Sequence, residues 1–292
     1  MGTVSRAAAG VILFPSFFLL VLTAITPASV ATATPAASQQ VLFTQSLRQS
    51  LERQFHSNKD ISYLLIDADS AELLAADWPN PNRPIPPGSL VKPFTALAYA
   101  SSHNCRYPIY ECRGKSTGCW QPKPHGKLDL SNAISVSCNS YFRQLAQKID
   151  ADQVRAITVT YGLDPPPPDS PSTALVGIGD DWKISPLPLA HAYLELARRN
   201  NQPGVAEILE GLRRSALRGT GAAIGPAISP ATALVKTGTA PCTHSPSAPA
   251  DGFVIAMLPA DKPQVLLLLR VHGQAGARAA EAAATALRGA KP

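Results

Sequence analysis

The sequence predicts an α+β protein in which a sheet assembled from both ends of the chain encloses a helical insertion. Three observations lead there. A short apolar strand–turn–strand pattern stands near the N-terminus. A long middle stretch carries apolar residues at helical spacing. Three apolar strand-like runs and an Ala-rich helical run then close the chain.

Bulk properties agree with that class. The chain has 292 residues, 45% hydrophobic and 16% charged, enough for a full-sized core in one large domain or two modest ones. There is no internal repeat and no linker long enough to separate two independent domains. The 28 prolines cluster at 80–87 and 165–171, as ordered connectors do. The formal charge of +6 is scattered, with Arg198-Arg199 and Arg213-Arg214 the only close pairs. That pattern reads as a solvated surface with a weak positive field, not as a nucleic-acid patch.

The elements follow in order. Arg6 precedes an uncharged apolar run over 7–24, densest from Phe17 to Leu22, and Ala31-Thr32-Ala33 offers an A-x-A cleavage site after it. This is the pattern of a secretory signal. The run is also just long enough to span a bilayer, so an uncleaved anchor stays open, although Pro15 interrupts it. No cysteine precedes Cys105, which argues against a lipoprotein signal. The expected division is a signal at 1–33 and a folded domain at 34–292, with its helical insertion at about 89–232.

Over 39–57, Leu42, Leu47, Leu51 and Phe55 recur at helical spacing. Residues 61–66 read as a strand, 67–70 as a turn and 71–76 as the returning strand, before a proline-rich loop at 80–88. Residues 89–100 read as a helix with Ser89 at its start, and Pro93 is tolerable only near the first turn. A long cysteine-rich loop follows. Further helices are expected at 130–134, 139–149, 153–161, 185–199 and 206–217. Strands at 233–239, 252–258 and 264–271 precede a terminal helix at 278–288.

There are five cysteines: Cys105, Cys112, Cys119, Cys138 and Cys242. Export permits disulfides, and a Cys112–Cys119 bridge is the first pairing expected. Cys242 is expected to pair with another cysteine, and the odd count leaves at least one thiol unpaired. No metal site is expected: close C-x-x-C pairs are absent, and His103, His125, His191, His244 and His272 show no metal spacing. Trp120 and Trp182 read as buried residues or as the lining of a groove for glycan or peptide.

Three short motifs carry chemistry. In Ser89-Leu90-Val91-Lys92, a hydroxyl at a helix start has an amine at i+3 on the same face. Serine becomes a nucleophile once a base takes its proton, and lysine serves as that base only when neutral. Burial or a neighbouring cation achieves that, and Lys236 is the expected cation. In Ser137-Cys138-Asn139, alternation brings hydroxyl and carboxamide together in a turn or extended segment and turns Cys138 away. Ser137 can relay a proton, and Asn139 can bind a peptide group. In Lys236-Thr237-Gly238-Thr239, a cation and two hydroxyls on a strand suit a carboxylate, and Gly238 admits a close backbone. The N–H groups of Ser89 and Thr239 are the expected oxyanion donors.

These motifs and their flanks resemble the penicillin-binding protein transpeptidase family, within the serine D,D-peptidase and β-lactamase superfamily. The resemblance runs through Pro87 to Thr95, Ser137 to Phe142, Gly177-Ile178-Gly179, Ile184 to Ala190, Gly219-Thr220-Gly221 and Lys236 to Ala240. It implies an antiparallel sheet flanked by helices, an all-helical subdomain and a site between them. It implies Ser89 as acylated nucleophile, Lys92 as its base and Ser137 as relay. Asn139 is implied to hold substrate, and Lys236, Thr237 and Thr239 to bind its carboxylate. The implied partners are D-Ala-D-Ala peptidoglycan stem peptides and β-lactams, with no cofactor and no nucleic acid, in an extracytoplasmic or membrane-anchored setting.

The resemblance leaves D,D-transpeptidase and D,D-carboxypeptidase equally open. A class D-like β-lactamase is the second reading. Asn139 stands where those enzymes usually carry an aliphatic residue, and Glu195-Leu196-Ala197-Arg198 makes no convincing water-activating motif. A non-catalytic penicillin-binding sensor is the third. The chain departs from the family in the short proline-rich stretch at 164–176 and in the cysteine segment at 105–120.

Overall fold

Apolar runs from the two ends of the chain meet in one antiparallel sheet. The computed structural model describes residues 1–3, 35–242, 245 and 248–290, with backbone alone over 35–40. The signal reading at 4–33 and His244 lie outside the described residues. The chain begins with α1 (Pro35–Phe55), β1 (Ile61–Asp67) and β2 (Leu73–Asp77). It continues with α2 (Lys92–Ser102), β3 (Tyr110–Cys112), β4 (Gly126–Leu128), α3 (Leu130–Ser135), α4 (Asn139–Ala146) and α5 (Ala151–Thr160). Then come α6 (Pro186–Arg198), α7 (Ala206–Arg218), α8 (Ile224–Ile228), β5 (Leu234–Ala240), β6 (Asp251–Leu258), β7 (Val265–His272) and α9 (Gly276–Gly289).

The sheet order is β2-β1-β7-β6-β5, every pair antiparallel. Both faces are covered, which is why β6 is buried at every position. Alternation divides its side chains. Leu64, Ile66, Phe253, Ile255, Leu266 and Leu268 join the core under the helical insertion. Leu65, Val254, Ala256, Leu267 and Leu269 join a second core with Leu47 and Leu51 of α1 and Ala280, Ala283 and Leu287 of α9. The small residues of α9 allow its backbone close to β6: a Cβ on Gly252 would run into the Ala275 carbonyl. Among the described residues no helix is long and apolar enough to cross a membrane.

Three differences from the sequence reading have physical causes. The cysteine-rich segment is not all loop, since β3 and β4 pair within it at Tyr110↔Leu128 and Cys112↔Gly126. Strands of three residues show too few alternations to be seen in sequence. Helix α8 was not expected because Gly225 and Pro226 lie inside it. Helix α2 begins at Lys92, and Ser89 lies in a preceding 3-10 turn over Gly88–Val91. Pro93 has no N–H and takes its place in the first turn of α2.

Candidate active site

The turn carrying Ser89 is seated directly on the edge strand β5. Gly88 has φ +58°, and a Cβ there would lie 2.5 Å from the Thr239 carbonyl oxygen. A Cβ on Gly238 would lie 2.9 Å from the Pro87 oxygen and 3.0 Å from Leu90 Cγ. Only glycine at both positions lets turn and strand approach this closely. From the other side, Tyr193 Oη of α6 donates to the Leu90 carbonyl at 2.7 Å, and Thr95 Oγ1 donates to the Leu175 carbonyl. Leu90, Val91 and Phe94 are fully buried, whereas Ser89 stays half-buried. The turn therefore holds one hydroxyl at the surface of a packed base.

Behind Ser89 two buried lysines converge on Ser137. Lys92 and Lys236 are both 0% exposed. Lys92 Nζ donates to Asn139 Oδ1 at 2.7 Å, to the Ser137 carbonyl at 2.9 Å and to Ser137 Oγ at 3.4 Å. Lys236 Nζ donates to Ser137 Oγ at 2.9 Å and to the Thr237 carbonyl at 2.6 Å. Ser89 Oγ is not among these partners. Burial lowers the Lys92 amine to about 7, against the opposite pull of Cys138 and Cys119. Lys236 is pushed well below the ordinary lysine value, by burial first and by the charge of Lys92 second. Of the two causes left open by the sequence, burial is the leading one at Lys92.

Ser137 holds a strained backbone. Its φ is +50°, in the left-handed region that non-glycine residues rarely occupy. The turn sits between α3 and α4, with Cys138 as N-cap and Asn139 as the first residue of α4. This conformation, not an extended segment, brings the Ser137 hydroxyl and the Asn139 carboxamide to the same lysine. The exposed indole of Trp120 donates to the Ser137 carbonyl at 3.2 Å, at the edge of the site. Trp182 instead is buried, with Nε1 on the Asp164 carbonyl at 2.9 Å.

On β5 the lysine and the two hydroxyls lie on alternate faces. Strand alternation sends Lys236 toward the helical insertion and Thr239 toward α9. Thr237 Oγ1 donates to Thr220 Oγ1 at 2.6 Å, and Thr239 Oγ1 accepts the N–H of Gly276 at 2.9 Å. Thr220, in the loop after α7, is thus a site residue for which the sequence had suggested no role.

The cysteine reading is also corrected. No disulfide forms among the described cysteines, so Cys112 and Cys119 are not bonded to each other. Both lie beside His125 and Cys138, whose ligand atoms fall within 4.8 Å of theirs. The hairpin and the second-motif turn brought together residues whose sequence spacing showed no such cluster. Cys242 likewise forms no disulfide and lies 3.7 Å from His272 Nδ1.

Comparison with known proteins bears on the architecture and the motif order together. The chain is similar in fold to Pseudomonas aeruginosa PBP2, at TM-score 0.68 and 16% identity over 86% of this chain and 73% of that one. It is similar to the transpeptidase domain of Burkholderia pseudomallei penicillin-binding protein 3, at TM-score 0.63 and 18% identity over 87% and 93%. The D,D-transpeptidase domain of a peptidoglycan glycosyltransferase from Eggerthella lenta gives TM-score 0.66 and 17% identity over 84% and 80%. No curated protein matches the chain. The model of the penicillin-binding protein transpeptidase domain matches residues 33–288, which contain the whole described sheet and all three motifs. With its sheet, its helical insertion and the junction between them all inside that match, the chain belongs to the penicillin-binding protein transpeptidase domain family.

Proposed function

We propose that this protein is an exported serine acyltransferase that forms an ester between Ser89 and the penultimate D-Ala of peptidoglycan stem peptides, and that β-lactams acylate the same hydroxyl. The observation that carries the reading is the convergence of two fully buried lysines on Ser137, directly behind a half-exposed serine. A lysine held at about 7 is a competent base at neutral pH.

In the first half-reaction Ser89 Oγ attacks the D-Ala-D-Ala carbonyl and its proton passes to neutral Lys92. The oxyanion is met by the N–H groups of Ser89 and Thr239. Collapse breaks the peptide bond, and the departing D-Ala amine takes a proton delivered through Ser137. Asn139 orients the stem. Lys236, Thr237 and Thr239 take the terminal carboxylate, with Gly238 giving the room. A carboxylate at Lys236 opposes the effect of burial there, because an adjacent anion favours the charged amine. In the second half-reaction an amine or water attacks the ester. Residues 1–33 serve as the export signal, and 34–292 is the domain delivered across the membrane.

Labelling with a fluorescent penicillin tests acylation: the native chain retains the label through denaturing electrophoresis, and Ser89→Ala does not. An unlabelled native chain would overturn the reading. A stem-peptide mimic with a D-amino-acid acceptor, followed by mass spectrometry, separates the second step. Exchange of the terminal residue marks a transpeptidase, and hydrolysis alone marks a carboxypeptidase. Fast nitrocefin turnover would instead mark a β-lactamase.

A further inference from the structure

The cluster of Cys112, Cys119, His125 and Cys138 has no part in the acyl chemistry above, yet its geometry is specific. Cys119 Sγ and Cys138 Sγ stand 3.8 Å apart. Cys112 Sγ and Cys119 Sγ stand 3.5 and 3.6 Å from His125 Nδ1. A tetrahedral ion with metal–sulfur bonds of about 2.3 Å and metal–nitrogen bonds of about 2.0–2.1 Å sets sulfurs about 3.8 Å apart and sulfur to nitrogen about 3.6 Å. The observed distances match both values. They are far outside a disulfide, whose sulfurs lie about 2.05 Å apart.

We propose that Cys112, Cys119, His125 and Cys138 form a structural site for a tetrahedral divalent transition metal, and that this metal ties the turn carrying Ser137 and Asn139 to the cysteine-rich hairpin.

The donor set selects the ion. Three thiolates and one imidazole suit zinc, and four protein ligands close the coordination sphere, as in structural sites. The three cysteines are buried and His125 is partly exposed. A neighbouring N–H group fits a thiolate. The Tyr141 N–H points to Cys138 Sγ at 3.5 Å. Such outer donors orient ligands and offset their charge. On binding, the ion displaces the thiol protons and leaves a centre of net charge −1. The ligands come from β3, the turn after Gly114–Thr117, the approach to β4 and the N-cap of α4. The ion therefore cross-links four separate segments. It does so through the residue between Ser137 and Asn139, and next to Trp120, which bonds the Ser137 carbonyl. The other grouping, Cys242, Asp251 and His272, is less suited: Asp251 already meets His272 Nδ1 at 2.8 Å, and Arg270 stands 3.9 Å from its carboxylate.

The test uses the full chain purified without chelator and does not read enzyme activity. Native mass spectrometry and elemental analysis are expected to find about one zinc per chain. Exchange for Co²⁺ is expected to give tetrahedral d–d absorption and thiolate-to-metal charge transfer. Cys119→Ser loses the ion and both absorptions, and Cys105→Ser, which alters no ligand, keeps them. Should Cys119→Ser fail to fold, the native chain still decides. A native chain that takes up no ion from equimolar Zn²⁺, or one with a disulfide inside the cluster, overturns the proposal. Failure here leaves Ser89 acylation untouched, and unlabelled Ser89 leaves the metal content untouched.

Discussion

A single lysine carries most of the pH behaviour expected of this site. Below about 7 Lys92 is protonated and accepts no proton from Ser89; above it the amine is neutral. The rate of fluorescent-penicillin acylation is therefore expected to fall about tenfold per pH unit below that point and to level off above it. Stopped-flow labelling from pH 5 to 9, a span of about four units around the Lys92 value, checks this. A rate flat across the range would remove Lys92 as the base. Ser137 makes the second residue-scale prediction. Its φ of +50° suits glycine better than serine, while its hydroxyl joins the two lysines. Ser137→Gly is expected to keep or raise Tm and to lower the acylation rate by about 10²- to 10⁴-fold. Loss of Tm without loss of rate would show that the turn, and not the hydroxyl, matters.

At the scale of elements, the site depends on how closely β5 lies against the turn before α2. Gly238 sets that distance, because a Cβ there would press on the Pro87 oxygen at 2.9 Å and on Leu90 Cγ at 3.0 Å. Both neighbours belong to the segment carrying Ser89, which Tyr193 pins from behind at 2.7 Å, so neither yields freely. Gly238→Ala is expected to destabilise by about 1–3 kcal/mol and to slow acylation more than it lowers penicillin affinity. Separating the acylation constant from initial binding measures the two effects. An unchanged acylation constant would mean that the strand can move away without disturbing Ser89.

At the scale of the whole molecule, the two chain ends act as one element. Ser50 of α1 donates to the Ala286 carbonyl of α9 at 2.8 Å, and Leu47 and Leu51 are 0% exposed in the core behind the sheet. That core supports β5 and β6 from the face opposite the site. Leu51→Ala is expected to cost about 2–5 kcal/mol and to lower the midpoint of thermal unfolding as a single transition. Calorimetry reads both quantities. A separate early transition for α1 would show that the N-terminal helix is an appendage and not part of the cooperative unit.

The sequence by itself determined the fold class and the order of most elements, and it singled out Lys92, Ser137, Asn139 and Lys236, which the structure brings together. These are legible because sheet and helix impose periods of 2 and 3.6 on apolar residues, and because a hydroxyl and an amine one turn apart leave a local pattern. The terminal strands of eight residues and the 13-residue helix α6 are long enough to show such periods. The short strands β3 and β4 are not. Only the tertiary structure decided which forces act between motifs. It buried both lysines fully and made burial the leading cause of the lowered Lys92. It turned Thr239 toward Gly276, and it drew Cys138 and His125 to a cysteine pair whose bonding the sequence had misread. Spacing along a chain reports only neighbours within one element. Desolvation and a four-cornered cluster arise where separate elements close on one another, and no period in the sequence records that meeting.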